Sequence, residues 1–448
     1  MIVGPPSLLE IPDGGNSLGI GSLERPNEES QAVASTRWIS VMDGMAHIGV
    51  RAAQRAAGPG EGLRQITERR TMREFTDAQE LKFRLLATGL SISAEARSWL
   101  ADVTHGKSLT SADYASTSGL ILELDDDVWV NAPIIDHNPN FVRVAPSVLR
   151  VDSDGLLVDG DGFLSRVRYW AQPDFHGTSN AVGPLNNYVV THGDRARLSP
   201  LRGCAMTCTF CNIPYDDPIE TYALKSISAS VEAVQVALDD PAQPAHHVLI
   251  SGGTPKPKDV GFHRELYRTI LTSFPKTKVD IMMAPIKDVL DLAELATLGV
   301  NELSINLEVF SRDRTREVAQ QKYNQGRDYY LDFIEDAAVA LGPGKVRSML
   351  LVGLEPMEST LAGVAAIAER GGVPVLSPFR PDPVTPLRDT PPPTATQLRE
   401  VFLRASEIVN AKGTILGPDC PPCSHNTLNF AAGFDGSISY PYPRPVMR

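Results

Sequence analysis

The chain has 448 residues, 42% hydrophobic and 21% charged, enough for one large globular domain with one or two smaller pieces. Its net charge of −12 disfavours a nucleic-acid partner unless a local basic patch exists, and the sequence shows none. It has no apolar run of membrane-spanning length, and the N-terminal MIVGPPSLLEIPDGG lacks a basic stretch followed by an apolar one. The expectation is a cytoplasmic protein that partners neither membrane nor nucleic acid.

Residues 1–30 are rich in Gly, Pro, Ser and Glu and read as a loose lead-in. Apolar residues at helical spacing predict helices over Ser35–Ala57 and Asp77–Val103, the second carrying Leu81, Phe83, Leu85, Leu86 and Leu90. Leu120–Val130 and Phe141–Tyr169 alternate apolar and polar residues and predict strands, with turns at Asp154-Gly155 and Asp159-Gly160. Residues 31–195 are therefore expected to form an N-terminal α+β domain. Its histidines, His105, His137, His176 and His192, are scattered, and a lone histidine is more often structural than a ligand.

From about Arg197 the pattern becomes strictly alternating. Strands are expected at Ala196–Leu201, His247–Ser251, Lys278–Ala284, Glu302–Val309, Val346–Val352 and Pro374–Pro378. Helices are expected between and after them, at Ala229–Leu238, Gly261–Ser273, Lys287–Leu298, Asp328–Leu341, Thr360–Glu369 and Thr394–Ala411. Successive βα units imply a parallel sheet with right-handed crossovers. Six units fall short of a closed eight-stranded barrel, so the expected fold is α/β: a partial (β/α)6 barrel over 196–411 with a short extension, 412–448. Ligands in such folds sit at the C-terminal ends of the strands.

The five cysteines form one triplet and one pair. Cys204, Cys208 and Cys211 have C-x3-C-x2-C spacing in a loop after the first of these strands, a pattern that in a reducing compartment points to thiolate–metal ligation. Three thiolates satisfy three irons of a cubane and leave the fourth open to an exogenous ligand. The spacing alone also admits a zinc knuckle.

The triplet resembles the defining motif of the radical S-adenosylmethionine (SAM) superfamily. That resemblance implies a [4Fe–4S] cluster on Cys204, Cys208 and Cys211 whose open iron is chelated by SAM. One electron, from an external donor such as flavodoxin or ferredoxin, would then yield methionine and a 5′-deoxyadenosyl radical that abstracts hydrogen from substrate. Phe210, before the last cysteine, would lie near the adenine. Gly252-Gly253-Thr254 resembles the family's GGE-type motif after the second strand, with Thr254 where Glu is common. Ser304, Asn306 and Glu308 share one face of the fourth strand and are candidate SAM ligands, with Arg316 and Lys322 as candidates for its carboxylate. Gly353 and Glu355 resemble the segment after strand five, and Phe379 and the run Pro383-Val384-Thr385-Pro386-Leu387 the segment after strand six.

The second pair, Cys420 and Cys423 with His425 nearby, is a second candidate metal or redox site: an auxiliary Fe–S cluster, zinc, or a dithiol. The leading expectation is a radical SAM enzyme acting on a small molecule in natural-product or cofactor biosynthesis. Alternatives are sulfur insertion with a sacrificial auxiliary cluster at Cys420/Cys423, and a non-catalytic Fe–S or zinc scaffold or electron carrier.

Overall fold

A computed structural model describes residues 75–103, 119–135, 147–216, 222–430, 441–442 and 444, all within one compact unit, Arg73–Arg448. The lead-in, the helix expected at Ser35–Ala57, His105 and His137 lie outside the described residues.

Helix α1 (Asp77–Thr88) starts at a capping box: the Thr76 hydroxyl accepts the Gln79 N–H while the Gln79 side chain accepts the Thr76 N–H. It stops at Gly89, whose φ of 67° lets its N–H fold back to the Leu85 carbonyl. The single helix expected over Asp77–Val103 is therefore two, α1 and α2 (Ala94–Val103), split by strand β1 (Leu90–Ile92). Those three residues leave the helix because they pair in parallel with Ser147–Leu149.

The first sheet contains β1, β2 (Gly119–Leu124), β3 (Val128–Pro133), β4 (Ser147–Asp152), β5 (Gly155–Gly160) and β6 (Phe163–Tyr169), in the order β1-β4-β5-β6-β2-β3. The turn expected at Asp154-Gly155 is present within one residue, because Asp152 pairs with Gly155. The turn expected at Asp159-Gly160 lies two residues later. Asp159 pairs with Val148 and Leu164, and Asp161 and Gly162 take the positive φ values, 55° and 90°, that a two-residue hairpin needs.

The second sheet holds the expected parallel series. Its order is β7 (Val189–His192), β8 (Arg195–Leu198), β9 (His247–Ile250), β10 (Lys278–Met282), β11 (Glu302–Ser304), β12 (Val346–Val352) and β13 (Val373–Pro378). β7 is antiparallel to β8, and every other pairing is parallel. The two end strands do not meet, so the sheet is an open, partial barrel.

After the single helical turn Ile213–Asp216, the helices are α3 (Ile227–Leu238), α4 (Val260–Ser273), α5 (Leu292–Leu298), α6 (Arg312–Val318), α7 (Gln320–Gln325), α8 (Arg327–Leu341), α9 (Met357–Glu369) and α10 (Ala395–Ala411). α5 begins later than the sequence suggests because Asp291 caps it, accepting the Glu294 N–H. The short α6 and α7 were not expected.

Strand periodicity divides the barrel. Ala196, Leu198, Val248, Ile250, Val279, Ile281, Leu303 and Ile305 belong to the main apolar core. The alternating positions, Arg195, Arg197, His247, Asp280, Glu302, Ser304 and Arg347, share the other face. Its N-terminal end is a charged layer in which Arg347 pairs with Asp280 at 3.2 Å and Glu302 at 2.5 Å.

The C-terminal extension lies along β13. The Gly417 N–H donates to the Pro374 carbonyl, the Leu428 N–H to the Leu376 carbonyl and the Ser377 hydroxyl to the Asn426 carbonyl. Buried Lys82 of α1 donates to the Ser424 and Asn429 carbonyls, and Phe430 packs among Phe75, Phe83 and Phe402. Among the described residues no helix is long and apolar enough to cross a membrane.

Candidate active site and a second buried cysteine cluster

The cysteine loop leaves the C-terminal end of β8 and is tied down on two sides. Toward β9, the Ala205 N–H donates to the Thr254 carbonyl, and the Thr254 N–H donates to Cys204 Sγ at 3.1 Å. Gly253 lies so close to the loop that an added Cβ would stand 1.9 Å from the Gly203 oxygen. Toward α6, the Thr209 N–H donates to the Val318 carbonyl, and Gln321 bonds Thr207. The Gly-Gly-Thr segment thus acts first on the protein, holding the loop against the second strand.

The thiols share one small apolar cluster. Cys208 is buried with Met206, Ala284, Val309, Leu354 and Phe379, and Cys204, Phe210 and Cys211 pack against it. Burial pushes the Cys208 thiol up to about 12, with Glu308 adding to the rise, and pushes Cys211 up to about 11. Cys204 and Cys211 raise Cys208 further and Cys204 raises Cys211, so the three groups lie within electrostatic reach of one another. Three soft ligands converging in one pinned loop fit a thiolate-held iron–sulfur cluster, whose binding would displace the thiol protons.

Beyond β11 the chain turns sharply at Glu308, whose φ is 65°. Its carboxylate pairs with Lys322 of α7 at 2.7 Å, and Lys322 also donates to the Asn306 carbonyl at 2.8 Å. Burial would lower the lysine pKa, but the Glu308, Tyr330 and Cys208 charges outweigh it and hold the pKa above the usual value. Asn306 Oδ1 accepts from the Ser304 hydroxyl and the Met349 N–H. Ser304, Asn306, Glu308 and Lys322 therefore form one connected patch beside Cys208.

One expected residue is not brought to this patch. Arg316 is exposed on α6 while Val318 is buried in the cysteine cluster, because two helical residues are about 200° apart. Gly353, at φ 101°, abuts Pro393, whose Cδ would lie 2.9 Å from an added Cβ. Glu355 accepts the Phe310 and Ser311 N–H groups and clamps the loop after β11. Beside the cysteine loop lies a cleft of about 530 Å³, lined by Arg197, Ser199, Arg202, Lys225, Gly252 and Gly253 among others.

The second cysteine pair has gained partners that the sequence did not suggest. Cys420, Cys423, His247 and Asp194 each offer a ligand atom within 4.8 Å of the others. His247 Nε2 is 3.1 Å from Cys423 Sγ, and its Nδ1 is 3.8 Å from Asp194. His425, expected beside the cysteines, is not in this set. It lies two residues past Cys423 in a 3-10 turn (Pro422–Asn426), about 240° around the axis. Asp194 and His247 had no local signal. They precede β8 and begin β9, neighbours only because Arg195 and His247 are in register.

Residues 198–361 match the Radical SAM superfamily. A bacteriochlorophyllide c C-7(1)-hydroxylase from Chlorobaculum limnaeum is 28% identical over 126 residues, which is 28% of this chain and 31% of that protein. Among solved structures, the [FeFe]-hydrogenase maturase HydG from Carboxydothermus hydrogenoformans matches with a TM-score of 0.38 and 17% identity, covering 50% of this chain and 54% of its own. A radical SAM methyltransferase from Sphaerobacter thermophilus matches with a TM-score of 0.38 and 14% identity, covering 63% and 79%. The chain thus spans about a third of the hydroxylase and half of the maturase. The matched segment begins at the end of β8 and contains the whole cysteine loop, so residues 198–361 form a radical SAM domain.

Proposed function

We propose that Cys204, Cys208 and Cys211 hold the [4Fe–4S] cluster and that the enzyme acts on a small molecule bearing an anionic group. When bound, the cluster supplies the electron that splits SAM into methionine and the 5′-deoxyadenosyl radical. The protein's own part is to hold and shield. The Thr254 N–H on Cys204 and the pinned loop fix the thiolates, the Ser304–Asn306–Glu308–Lys322 patch offers polar contacts for SAM, and Phe210 and Phe379 form apolar wall.

The observation that carries the substrate class is the cleft beside the loop. Arg197, Arg202 and Lys225 line it, together with Ser199, Gly252 and Gly253. Arg197 reaches Ser251 at 2.8 Å and lies close enough to Cys211 for their charges to couple. Guanidinium and ammonium groups on a cleft wall offer charge-assisted hydrogen bonds to an anionic group, while the overall acidic field repels polyanions. A flavodoxin or ferredoxin as electron donor, and a place in natural-product or cofactor biosynthesis, follow from the same reading.

The test is 5′-deoxyadenosine formation from SAM under dithionite, without air. Reconstituted protein should produce it and Cys208→Ala should not; formation by that variant would end the cluster assignment. Anionic and neutral metabolite fractions should then be added separately. Stimulation above the uncoupled background by the anionic fraction, lost in Arg197→Gln, supports the substrate class. Stimulation by the neutral fraction alone removes it.

A further inference from the structure

We propose that Asp194, His247, Cys420 and Cys423 are the four ligands of a closed, mononuclear site for a zinc-type divalent cation. It would lie at the opposite end of the barrel from the cysteine loop and fasten the C-terminal extension to the first two parallel strands. The inference stands apart from the radical chemistry and uses none of its residues.

The donor set is the first argument. Two thiolates, an imidazole and a carboxylate are ligands that zinc takes in tetrahedral sites, with bonds of about 2.0–2.3 Å that set ligand atoms roughly 3.3–3.8 Å apart. Here all four ligand atoms lie within 4.8 Å of one another, and the His247–Cys423 pair is at 3.1 Å. That spacing suits ligands converging on one ion. A cubane binds each ligand to a different iron, around a core that also holds sulfide, so its ligands stand further apart.

Burial is the second argument. Asp194 is 2% exposed, Cys423 4% and His247 8%. Asp194 Oδ1 is buried without a hydrogen-bond partner, although it points toward the His247 ring. An unpartnered carboxylate oxygen in a buried position is costly, and a cation would satisfy it. Four protein ligands leave no open position, which marks a structural site rather than a catalytic one.

Position is the third argument. Asp194 precedes β8 and His247 begins β9, whereas the cysteine loop follows the far end of β8. The four residues of β8 alone separate the two centres by about 13 Å. A sulfur donor or a hydrogen-donating thiol must reach the substrate at the mouth, and this pair faces the other end. What it does touch is structural: the charges of Cys420 and Cys423 couple to Arg347 in the charged layer, and Lys82 holds the carbonyl of neighbouring Ser424.

The experiment measures zinc and iron per full-length chain, and follows Co²⁺ uptake by its thiolate charge-transfer band. About one zinc beside about four irons is expected, with zinc lost and iron unchanged in Cys420→Ser/Cys423→Ser. If that variant is insoluble, Asp194→Asn should stay folded and bind Co²⁺ at least tenfold more weakly. A chain with Cys204, Cys208 and Cys211 all changed to Ala should keep its zinc and lose its iron, so failure of SAM cleavage leaves this test intact. Three results would overturn the site: no zinc and no cobalt band in the wild-type chain, about eight irons falling to about four in the Cys420/Cys423 variant, or zinc that follows the Cys204 triplet.

Discussion

Gly253 has no room for a side chain. A Cβ there would also stand 2.9 Å from the Cys204 Cα, so backbone rather than a flexible side chain would have to move. Gly253→Ala should cost about 1–3 kcal/mol of local strain and displace Cys204. Iron per reconstituted chain should fall below half of wild type with the circular-dichroism spectrum unchanged, and full iron retention would show that the close approach is not needed. The Glu308–Lys322 pair makes the second residue-scale prediction. Lys322→Met strands a buried carboxylate and should destabilise by about 3–5 kcal/mol, whereas Glu308→Gln/Lys322→Met should recover at least about half of that. Chemical denaturation of the four proteins gives the coupling, and additive effects would refute a working pair. Strand period two suggested one face for Ser304, Asn306 and Glu308, but β11 ends at Ser304 and Glu308 lies beyond it at a positive φ. The pairing with Lys322 was not legible, because it depends on the positive φ at Glu308 and on two short helices with no strong periodicity of their own.

At the scale of elements, the six parallel strands were readable because strand and helix patterns alternate along the chain from Arg197. The N-terminal region was less so. The apolar spacing of Asp77–Val103 suits a continuous helix, and only the pairing of Leu90–Ile92 with β4, a contact between distant segments, breaks it. The C-terminal extension had no readable period, since it is held by single hydrogen bonds and by Phe430. Phe430→Ala should cost about 3–5 kcal/mol, because its ring joins Phe75 and Phe83 to Phe402 of α10. Thermal melting checks this, and a change under about 1 kcal/mol would mean that the extension contributes little. His176 adds a pH dependence. Its Nε2 accepts the Thr191 N–H of β7, and burial lowers its pKa to about 4, below the unfolded value of 6.5. The unfolded chain therefore takes up this proton first as pH falls. The contribution is complete above 6.5 and is lost between about 6.5 and 4, by roughly 3 kcal/mol. His176→Gln should flatten the stability profile across that window.

For the whole molecule, the question is whether residues 31–195 are a separable domain. The charged layer and the proposed cation site close one end of the barrel, and the C-terminal extension that carries the cysteines is held from the N-terminal side. Lys82 is fully buried with its donors on the Ser424 and Asn429 carbonyls, and Arg380 of the barrel donates to the Asn131 carbonyl of β3 at 2.7 Å. Arg399 of α10 pairs with Glu80 of α1 at 3.0 Å. We therefore propose that the described part of the N-terminal region, from Phe75 on, is a structural support packed on the C-terminal extension and α10 rather than an independent binding module. Deleting residues 1–190 would uncover Phe402 and Phe430, leave two extension carbonyls without their lysine, and remove the first half of β7 from the edge of β8. Each buried group left unpaired costs about 1–3 kcal/mol and each exposed aromatic about as much again, together comparable to the whole stability of a domain. The truncated chain should be insoluble, or soluble but unable to retain either iron or zinc. Lys82→Met in the full chain should lower the melting temperature measurably with its iron content unchanged. A soluble truncated chain that binds iron and cleaves SAM at the wild-type rate would show that this support is dispensable and return a partner-binding role to the N-terminal region.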